Sequence, residues 1–482
     1  MQGEERVFIG GSWVPPSTGR RIEVISPHTE QAIARIAAPA PRDADAAVAA
    51  ARAAFDRGPW PRLPPAERIA AIRRLADLYD PCREDIARLI SAQMGAPITF
   101  ARSAHAALPG VMMRAFADIA ETVDWEQARP GRYGSDILLQ RTPVGVVAAI
   151  VPWNMPMLLA VMKLVPALLA GCPVVLKPSP ETPLDAYLLA RLTEQAGFPP
   201  GVISVLPGDG ALGAHLVAHP GVDRVSFTGS TAVGARVAAV CGAALKRVSL
   251  ELGGKSAAIV LDDADPATTA AGIKVAGLMN SGQACVAQTR ILVPRSRHDA
   301  HVDALAAMMD ALVVADPADP ATDIGPLVSR RQQERVRAYI ELGEKEGAVL
   351  ATGGAALPAG AGSGWYVRPT LFARADNGSR IAQEEIFGPV LTVIPYDDED
   401  HAVHLANDTR YGLSGSVWTP DTERGLAVAR RVAAGTFGVN QPYSMDPAAP
   451  FGGVKDSGIG RELGLEGIDS HLDTKSISVA AP

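Results

Sequence analysis

The order of apolar and helical segments between residues 144 and 260 restricts the fold of this chain more than any other feature. Short apolar runs occupy residues 144–151, 173–177, 202–206, 224–227 and 248–250. Segments of helical periodicity separate them, from about residue 157 and then at 185–195, 211–218 and 232–240. Parallel strands are buried on both faces, and helices connect them. This part of the chain is therefore predicted to be a Rossmann-like, doubly wound α/β unit of the nucleotide-binding type.

A second alternating block begins near residue 256 and runs to about residue 440. It opens with an apolar run at 257–261, contains a helical pattern at 329–346 and has a strand at 390–394 in its middle. Two segments fit neither block: residues 124–140 form a polar β-excursion, and the tail after Ile468 ends in an apolar strand. An exposed terminal strand often pairs with another subunit.

We therefore predict three parts in one α/β chain. Residues 1–123 and 141–252 would form the dinucleotide-binding domain, and residues 253–451 a second α/β domain that carries the catalytic chemistry. Residues 124–140 and 468–482 would form a small β element. The length of 482 residues fits two or three domains of ordinary size.

Charge and apolar content exclude several classes of partner. The net charge is −7 and no basic cluster offsets it, so a nucleic-acid partner is not expected. The most apolar stretch, 144–176, contains Pro152, Lys163 and Pro166, which would interrupt a membrane-spanning helix. Residues 1–6 are polar and lack the apolar core of a secretory signal. A small-molecule partner is expected, and neither nucleic acid nor membrane.

The four cysteines, Cys82, Cys172, Cys241 and Cys285, are scattered without a CxxC pair. No histidine lies near them at the spacing of metal ligands, so we expect neither disulfides nor a metal site. This cysteine usage fits a reducing cytoplasm.

Cys285 lies in a glycine-containing run at 278–287, and Glu251 precedes the glycines of the run 250–256. A thiolate nucleophile and a carboxylate base would suit covalent catalysis in two steps. A single cysteine is more often inert core packing. Cys285 and Glu251 therefore indicate catalysis only in combination with the other motifs of the chain.

Three further places have both a functional and an ordinary interpretation. The run 227–234 joins a strand to a helix, and its Gly229 and Gly234 suit a phosphate site or mere turn packing. Its spacing is neither GxGxxG nor a P-loop. Asn154 follows the first strand and suits an oxyanion donor or a turn. Lys177 could reach a cofactor ribose or be an ordinary solvated lysine at a strand end. Glu385 and Phe387 could hold ribose hydroxyls and a flat ring, or belong to an ordinary charged turn before a strand.

Five motifs occur together in one order: PWN at 152–154, FTGS at 227–230, ELGGK at 251–255, GQAC at 282–285 and EEIFGP at 384–389. By these motifs the chain closely resembles the aldehyde dehydrogenase superfamily. The resemblance runs from FIGGSW at 8–13 to PFGGVKDSGIGRE at 450–462.

The resemblance implies NAD(P)-dependent oxidation of an aldehyde to a carboxylic acid. Cys285 would attack the carbonyl, and the Asn154 side chain with the Cys285 backbone N–H would hold the oxyanion. After hydride transfer, Glu251 would activate water to hydrolyse the thioester. Lys163 matches the family lysine associated with the proton route.

The resemblance also implies a set of cofactor contacts. They are Ile150, Val151, Pro152, Trp153, Lys177, Ser179, Gly210, Phe227, Thr228, Gly229, Ser230, Gly234, Leu252, Glu385 and Phe387. Where many members have Lys-Pro-Ser-Glu, this chain has Pro180, so the carboxylate that disfavours a 2′-phosphate is missing. NAD is the expected cofactor, and NADP is not excluded; whether Glu181 takes over stays open.

The expected substrate is an aliphatic or otherwise hydrophobic aldehyde. Met155 and Met162 stand where several members have aromatic side chains, and Met113 and Met157 add to a flexible apolar lining. An aromatic cage for a trimethylammonium aldehyde is therefore not expected. Two alternatives stay open: a CoA-acylating dehydrogenase, against which Glu251 argues, and a catalytically silent binding or structural protein. By resemblance, the small β element would form homodimers or homotetramers.

Overall fold

The computed structural model describes residues 5–133, 135–358, 362–442 and 445–480. The ends of the predicted parts, residues 1–4 and 481–482, lie outside the described residues. The strands are β1 (Val7–Ile9), β2 (Ser12–Val14), β3 (Arg21–Ile25), β4 (Ala32–Ala37), β5 (Glu126–Pro130), β6 (Ser135–Pro143), β7 (Val147–Ile150), β8 (Val174–Lys177), β9 (Ile203–Val205), β10 (Arg224–Thr228), β11 (Arg247–Glu251), β12 (Ser256–Val260), β13 (Gln288–Pro294), β14 (Val349–Thr352), β15 (Thr370–Ala373), β16 (Val390–Tyr396), β17 (Gly415–Trp418), β18 (Gly438–Val439), β19 (Gly458–Ile459) and β20 (Leu472–Ala480).

The α-helices are α1 (Pro41–Asp56), α2 (Pro65–Tyr79), α3 (Arg83–Met94), α4 (Ile98–Phe100), α5 (Ala107–Glu121), α6 (Pro156–Ala170), α7 (Leu184–Gln195), α8 (Gly210–Ala218), α9 (Thr231–Ala243), α10 (Pro266–Leu278), α11 (His298–Asp310), α12 (Arg330–Lys345), α13 (Arg380–Gln383), α14 (Glu399–Asn407), α15 (Thr422–Ala429) and α16 (Gly464–Asp469). A π-helical turn, Ala101–Ala106, connects α4 and α5. Short 3₁₀ turns lie at Trp60–Arg62, Asp80–Cys82, Met279–Gly282, Arg295–Arg297 and Lys455–Ser457.

The first large sheet has eight strands in the order β19-β11-β10-β7-β8-β9-β1-β2. The five inner strands, β11 to β9 in this order, are parallel. The chain moves from β7 through β8 to β9 on one side and then places β10 and β11 on the other. Strand order therefore reverses between β7 and β10. In open α/β sheets, ligands bind at such a point, beyond the carboxyl ends of the strands. The α/β fold predicted from the alternating pattern is confirmed.

Strand β7 is shorter than the apolar run 144–151 that predicted it. The backbone N–H of Val144 bonds to the His471 carbonyl, and that of Val146 bonds to the Asp223 carboxylate at 2.7 Å. These groups are thus satisfied outside the sheet. The ladder begins only at Val147.

Helix α6 is buried along its whole length. It packs between the strands β7 and β8 and the helices α2, α5 and α7. A helix covered on all sides is expected to be apolar all round. Lys163 is the exception within it, and its buried charge requires a partner.

The second large sheet has the order β14-β15-β16-β13-β12-β17-β18. All its pairs are parallel except β14 with β15. The predicted strand at 390–394 is β16, inside this sheet. Cys285 lies in the connection between α10 and β13, which is a strand of the second sheet.

The polar segment and the C-terminal tail form a separate three-stranded sheet in the order β20-β6-β5. Strand β20 pairs with β6 from Leu472 opposite Pro143 to Ala480 opposite Ser135. The second strand of the excursion thus runs beyond residue 140. Every residue of strand β5 is exposed, and the strand lies at the edge of this sheet. The predicted domain boundaries and the association through this sheet stay predictions.

In the described part of the chain, no helix is both long and apolar enough to cross a membrane. No group of three or more His, Cys, Asp or Glu side chains among those residues is placed to hold a metal ion. The four cysteines are unbridged.

Candidate active site

The candidate site forms where four parallel strands of the first sheet end. In the sheet register Ile150 lies between Lys177 and Phe227, and Thr228 lies beside Glu251. Parallel strands end at one edge, so side chains far apart in sequence meet there. Ile150 and Val151 are themselves buried beneath this edge.

A cavity of about 510 Å³ opens at this edge, toward the second sheet. Its volume lies in the ordinary range of small-molecule sites. Its walls combine residues at the ends of first-sheet strands with the Cys285 loop, the loop before β16 and helix α12. The lining residues are Pro152, Trp153, Asn154, Thr228, Gly229, Ser230, Leu252, Gly253, Cys285, Arg331, Gln332, Arg335, Glu385 and Phe387.

Cys285 reaches the cavity because the chain turns sharply after α10. Asn280, Ser281 and Gly282 all have left-handed backbones, with φ of 54°, 58° and 75°. A Cβ on Gly282 would lie 2.2 Å from the Gly388 carbonyl oxygen. Gly254 also packs closely on this loop, because a Cβ there would lie 2.5 Å from the Cys285 carbonyl oxygen.

The Cys285 thiol is uncharged in this surrounding. Burial raises its pKa to about 12, and the negative charges of Glu385 and Glu251 act in the same direction. A thiolate nucleophile therefore requires a proton acceptor or a positive charge nearby.

Asn154 is buried immediately after β7 and faces the Cys285 loop. Its Nδ2 donates to the Gln283 carbonyl at 3.1 Å. This bond uses one of the two amide hydrogens, which leaves one for a ligand. The Asn280 Nδ2 donates to the Asn154 carbonyl at 2.9 Å and joins the two segments.

Glu251 ends β11 and lies behind the cavity wall, with 2% of its surface exposed. Neither carboxylate oxygen makes a hydrogen bond to a described residue. Burial raises the pKa of Glu251 well above its ordinary value, and the charge of Glu462 adds to this. A Cβ on Gly452 would lie 2.8 Å from its Oε1, so the backbone there must approach closely.

A buried polar network lies next to Glu251. Lys163 of α6 forms an ion pair with Glu462 and donates to the Ser226 hydroxyl at 3.2 Å. Ser226 donates to the Glu462 Oε1 at 3.1 Å, and Ser249 donates to Ser226 at 3.2 Å. The charge inside the apolar helix thus has its counter-ion.

Sequence reasoning assigned no role to Glu462. Its motif at 450–462 served only for the resemblance, and nothing in the spacing connects it with Lys163. The available signal was the need of the buried lysine for a carboxylate.

The phosphate-type part of the site lies at the start of α9. Ser230 lines the cavity and is the N-cap of this helix, and its side chain makes no capping hydrogen bond within the described chain, so it does not satisfy the first N–H groups of the helix. A Cβ on Gly234 would lie 2.4 Å from the Leu252 side chain. The Thr228 hydroxyl is buried and has no hydrogen-bond partner among the described residues. These features fit a bound dinucleotide.

Lys177 and Ser179 lie beyond the cavity lining, at the end of β8. The Lys177 ammonium donates to the Gly208 carbonyl at 2.6 Å, and burial lowers its pKa to about 8. Ser179 donates to the Glu181 carboxylate, so Glu181 folds back to this strand end. Gly210 is exposed at the start of α8, outside the cavity lining.

Glu385 and Phe387 also line the cavity. The Gly254 N–H donates to the Glu385 Oε1 at 3.1 Å, and burial raises the pKa of this carboxyl to about 7. Trp153 and Phe387 meet edge to face, with ring centres 5.3 Å apart. Phe387 has a left-handed backbone with φ of 66°.

Three residues of α12 were missed by sequence reasoning. Gln332 donates to the Phe387 carbonyl at 3.1 Å, and Arg335 donates to the Glu385 carbonyl at 2.7 Å. Arg331 lies at the cavity rim. Their polar pattern is that of any solvated helix face, so only the tertiary placement distinguishes them.

Comparison with known proteins gives concordant matches. Residues 13–477 match the aldehyde dehydrogenase family. Geranial dehydrogenase of Castellaniella defragrans is 46% identical over 98% of both chains. Phenylacetaldehyde dehydrogenase of Pseudomonas fluorescens is 39% identical over 98% of this chain and 96% of its own.

Solved structures are equally similar. Mycobacterium tuberculosis aldehyde dehydrogenase, complexed with NAD+, has a TM-score of 0.97 at 48% identity, covering 100% of this chain and 99% of that one. A cysteine-to-alanine mutant of aldehyde dehydrogenase C from Pseudomonas syringae, complexed with NAD+ and octanal, has a TM-score of 0.95 at 42% identity. That match covers 99% of this chain and 97% of the other.

Proposed function

This chain belongs to the aldehyde dehydrogenase family, and on that premise we propose that it oxidises a hydrophobic aldehyde to its carboxylic acid through a thioester on Cys285. The observation that carries the proposal is the shared cavity. Cys285 and Asn154 line it together, and Glu251 lies buried directly behind Leu252 and Gly253.

In the first step Cys285 transfers its proton to a base and its sulfur bonds to the aldehyde carbon. The resulting oxyanion accepts hydrogen bonds from the Asn154 side chain and the Cys285 backbone N–H. When bound, NAD+ supplies the hydride acceptor. The thioester that remains requires water and a base for its release.

Glu251 is suited to be that base. Its raised pKa makes the Glu251 carboxylate a stronger proton acceptor than a solvated glutamate. Its oxygens have no competing hydrogen bond among the described residues. Lys163 and Glu462 are bonded to each other and lie close enough to Glu251 to act on its charge, and we assign Lys163 to the route by which the proton leaves.

We assign the cofactor part of the cavity to NAD+. Ile150, Val151 and Trp153 would lie beneath the dinucleotide, and the start of α9 would hold its pyrophosphate. Glu385 and Phe387 would hold the nicotinamide ribose and ring. The structural relatives that are NAD+ complexes support this assignment.

Glu181 is our candidate for discrimination against NADP. Pro180 removes the carboxylate common at that position, but Glu181 contacts Ser179 and lies 3.9 Å from Arg331. A carboxylate at the ribose would repel a 2′-phosphate.

The substrate side supports a hydrophobic aldehyde. Met113, Met157 and Met162 are buried in the core cluster against which Cys285 packs, and Met155 is partly buried there. Methionine side chains adapt to irregular apolar ligands. The names of the geranial and phenylacetaldehyde dehydrogenases and the octanal complex agree with this class.

An aldehyde panel tests the proposal. Octanal, geranial, phenylacetaldehyde and succinic semialdehyde are assayed with NAD+ and with NADP+, by absorbance of the reduced cofactor. We expect the highest kcat/KM with an apolar aldehyde and NAD+, and free acid as product without CoA. A highest value with the charged semialdehyde would refute the substrate class.

Two variants test the mechanism. We expect Cys285→Ala to abolish turnover and retain NAD+ binding, and Glu251→Gln to accumulate the acyl-enzyme. CoA-dependent release by wild-type protein would instead support the acylating alternative. Turnover by Cys285→Ala would refute the covalent mechanism.

We also propose that the small sheet mediates homodimer or homotetramer formation. Strand β5 lies at its edge and all its residues are exposed, and unpaired strand edges favour association. Light scattering after gel filtration gives the state. A monomer at micromolar concentration would refute the assignment.

A further inference from the structure

His105 is a buried histidine outside the residues assigned above. It lies in the π-helical turn Ala101–Ala106, between α4 and α5, and its exposed fraction is 0%. Its Nε2 lies 3.3 Å from the Oδ1 of Asn280, in the turn that leads to Cys285. π-Helical turns are rare and often occur at functional sites.

The hydrogen bonds around Asn280 define the protonation of His105. The Asn280 Nδ2 donates to the Asn154 carbonyl at 2.9 Å and to the Gln283 carbonyl at 3.2 Å. Both amide hydrogens are thus used, and Oδ1 is left as an acceptor. His105 must therefore donate from Nε2. Burial lowers its pKa to about 4, so the ring is neutral with its proton on Nε2.

Asn280 connects the two groups that meet the substrate. It holds the backbone of Asn154 and, through Gln283, the segment that carries Cys285. The Asn154 side chain donates to the same Gln283 carbonyl. A rotation of the Asn280 amide would break three contacts together, and the bond from His105 opposes that rotation.

The surroundings of His105 do not otherwise require a histidine. Its Nδ1 is buried without a hydrogen-bond partner among the described residues, which is unfavourable for a polar atom. Its ring also meets Phe100 edge to face, with centres 5.4 Å apart. An apolar side chain would make that contact without the polar cost. The described hydrogen bond that a histidine adds is the one to Asn280.

We propose that His105 is a positioning residue for the acylation step, acting through Asn280 to hold Asn154 and Cys285 in register. The inference rests on the proposed function. Without the Nε2 donor, Asn280 has an unpaired buried oxygen and the turn loses its orientation. Displacement of about 1 Å in a reacting group lowers a rate by about a hundredfold.

The test compares His105→Gln with His105→Met. The two replacements have similar length, but only glutamine can donate from the position of Nε2. We expect His105→Met to lower kcat at least about tenfold with the NAD+ dissociation constant unchanged, and His105→Gln to remain within about threefold of wild type. His301→Leu is the control, because His301 is buried with an unpartnered ring nitrogen on α11.

A second readout isolates acylation. With 4-nitrophenyl acetate, acylation of Cys285 releases 4-nitrophenolate and needs neither aldehyde nor NAD+. We compare variants that have similar Tm values. We expect His105→Met to release 4-nitrophenolate in a slower burst than His105→Gln or His301→Leu. Should His105→Met not fold, His105→Ala serves in the same comparison.

Equal bursts for the donor and non-donor replacements would overturn the proposal, as would losses that follow Tm alone. Failure of the proposed function is a different result. In that case wild-type protein oxidises no aldehyde of the panel, whatever the behaviour of the His105 variants.

Discussion

Replacement of Lys163 by methionine is the most informative perturbation of the site. Lys163 and Glu462 form an ion pair with side chains 0% and 6% exposed. Removal of one member of a buried pair costs about 3–5 kcal/mol, because the other charge is left uncompensated. With an unfolding entropy of about 2.1 cal/mol/K per residue, a chain of 482 residues is expected to lose about 3–5 °C in Tm.

The same change should alter the pH dependence. Burial and the charge of Glu462 raise the pKa of Glu251, and Lys163 opposes this increase. Without Lys163 the pKa of Glu251 rises further, so the acidic limb of the kcat profile moves to higher pH. Carboxyls with a raised folded pKa contribute stability at low pH that is lost as pH rises through that pKa. The Tm deficit should therefore grow from pH 5 to pH 9.

Scanning calorimetry and a kcat profile over this pH range measure both effects. Arg73→Met is the matched control, since Arg73 pairs with Asp118 and Glu121 at the surface and should change Tm by about 1 °C or less. Lys163→Met combined with Glu462→Leu should recover most of the Tm, because two apolar side chains replace the pair. A Lys163→Met variant with wild-type Tm at pH 9 and an unmoved acidic limb would refute the reasoning.

Three further changes have expected outcomes. Gly254→Ala should lower kcat at least about tenfold in the aldehyde assay, because its Cβ would lie 2.5 Å from the Cys285 carbonyl oxygen, whereas Gly242→Ala, with open space around it, should leave kcat unchanged. Glu181→Gln should raise kcat/KM for NADP+ relative to NAD+ by about tenfold, and an unchanged ratio would exclude Glu181 as the selector. Burial raises the pKa of Asp185 to about 7, so the wild-type protein should lose stability as pH rises from about 4 to about 7. The difference in Tm between pH 5 and pH 8 should be smaller for Asp185→Asn than for wild type, and an equal difference would contradict this.

Sequence patterns predicted the strands β7 to β11 because short, largely apolar runs alternate there with segments of helical periodicity. The first and last residues of these strands were less predictable from the sequence. Val144 belongs to the same apolar run as Val147 but bonds to His471, which lies far along the chain. Periodicity contains no information on such a partner.

The candidate site divides in the same way. Cys285, Glu251 and Asn154 lie in short motifs, where a sharp turn or a strand end needs particular residues within a few positions. Glu462 lies far from Lys163 in sequence and meets it only because α6 and the C-terminal segment both reach Ser226 on β10. The contribution of Arg335 likewise depends on where α12 crosses Glu385.

The sequence by itself determined the α/β class, the family and the motif residues, because these depend on local periodicity and short-range backbone requirements. Only the tertiary structure decided the charge environment. It placed Glu251 beside a buried Lys163–Glu462 pair, without a hydrogen-bond partner in the part of the chain that the structure describes, and it joined His105 to Asn280 at the Cys285 turn. Burial and distance set the protonation of these groups, and both arise only when segments distant in sequence pack together.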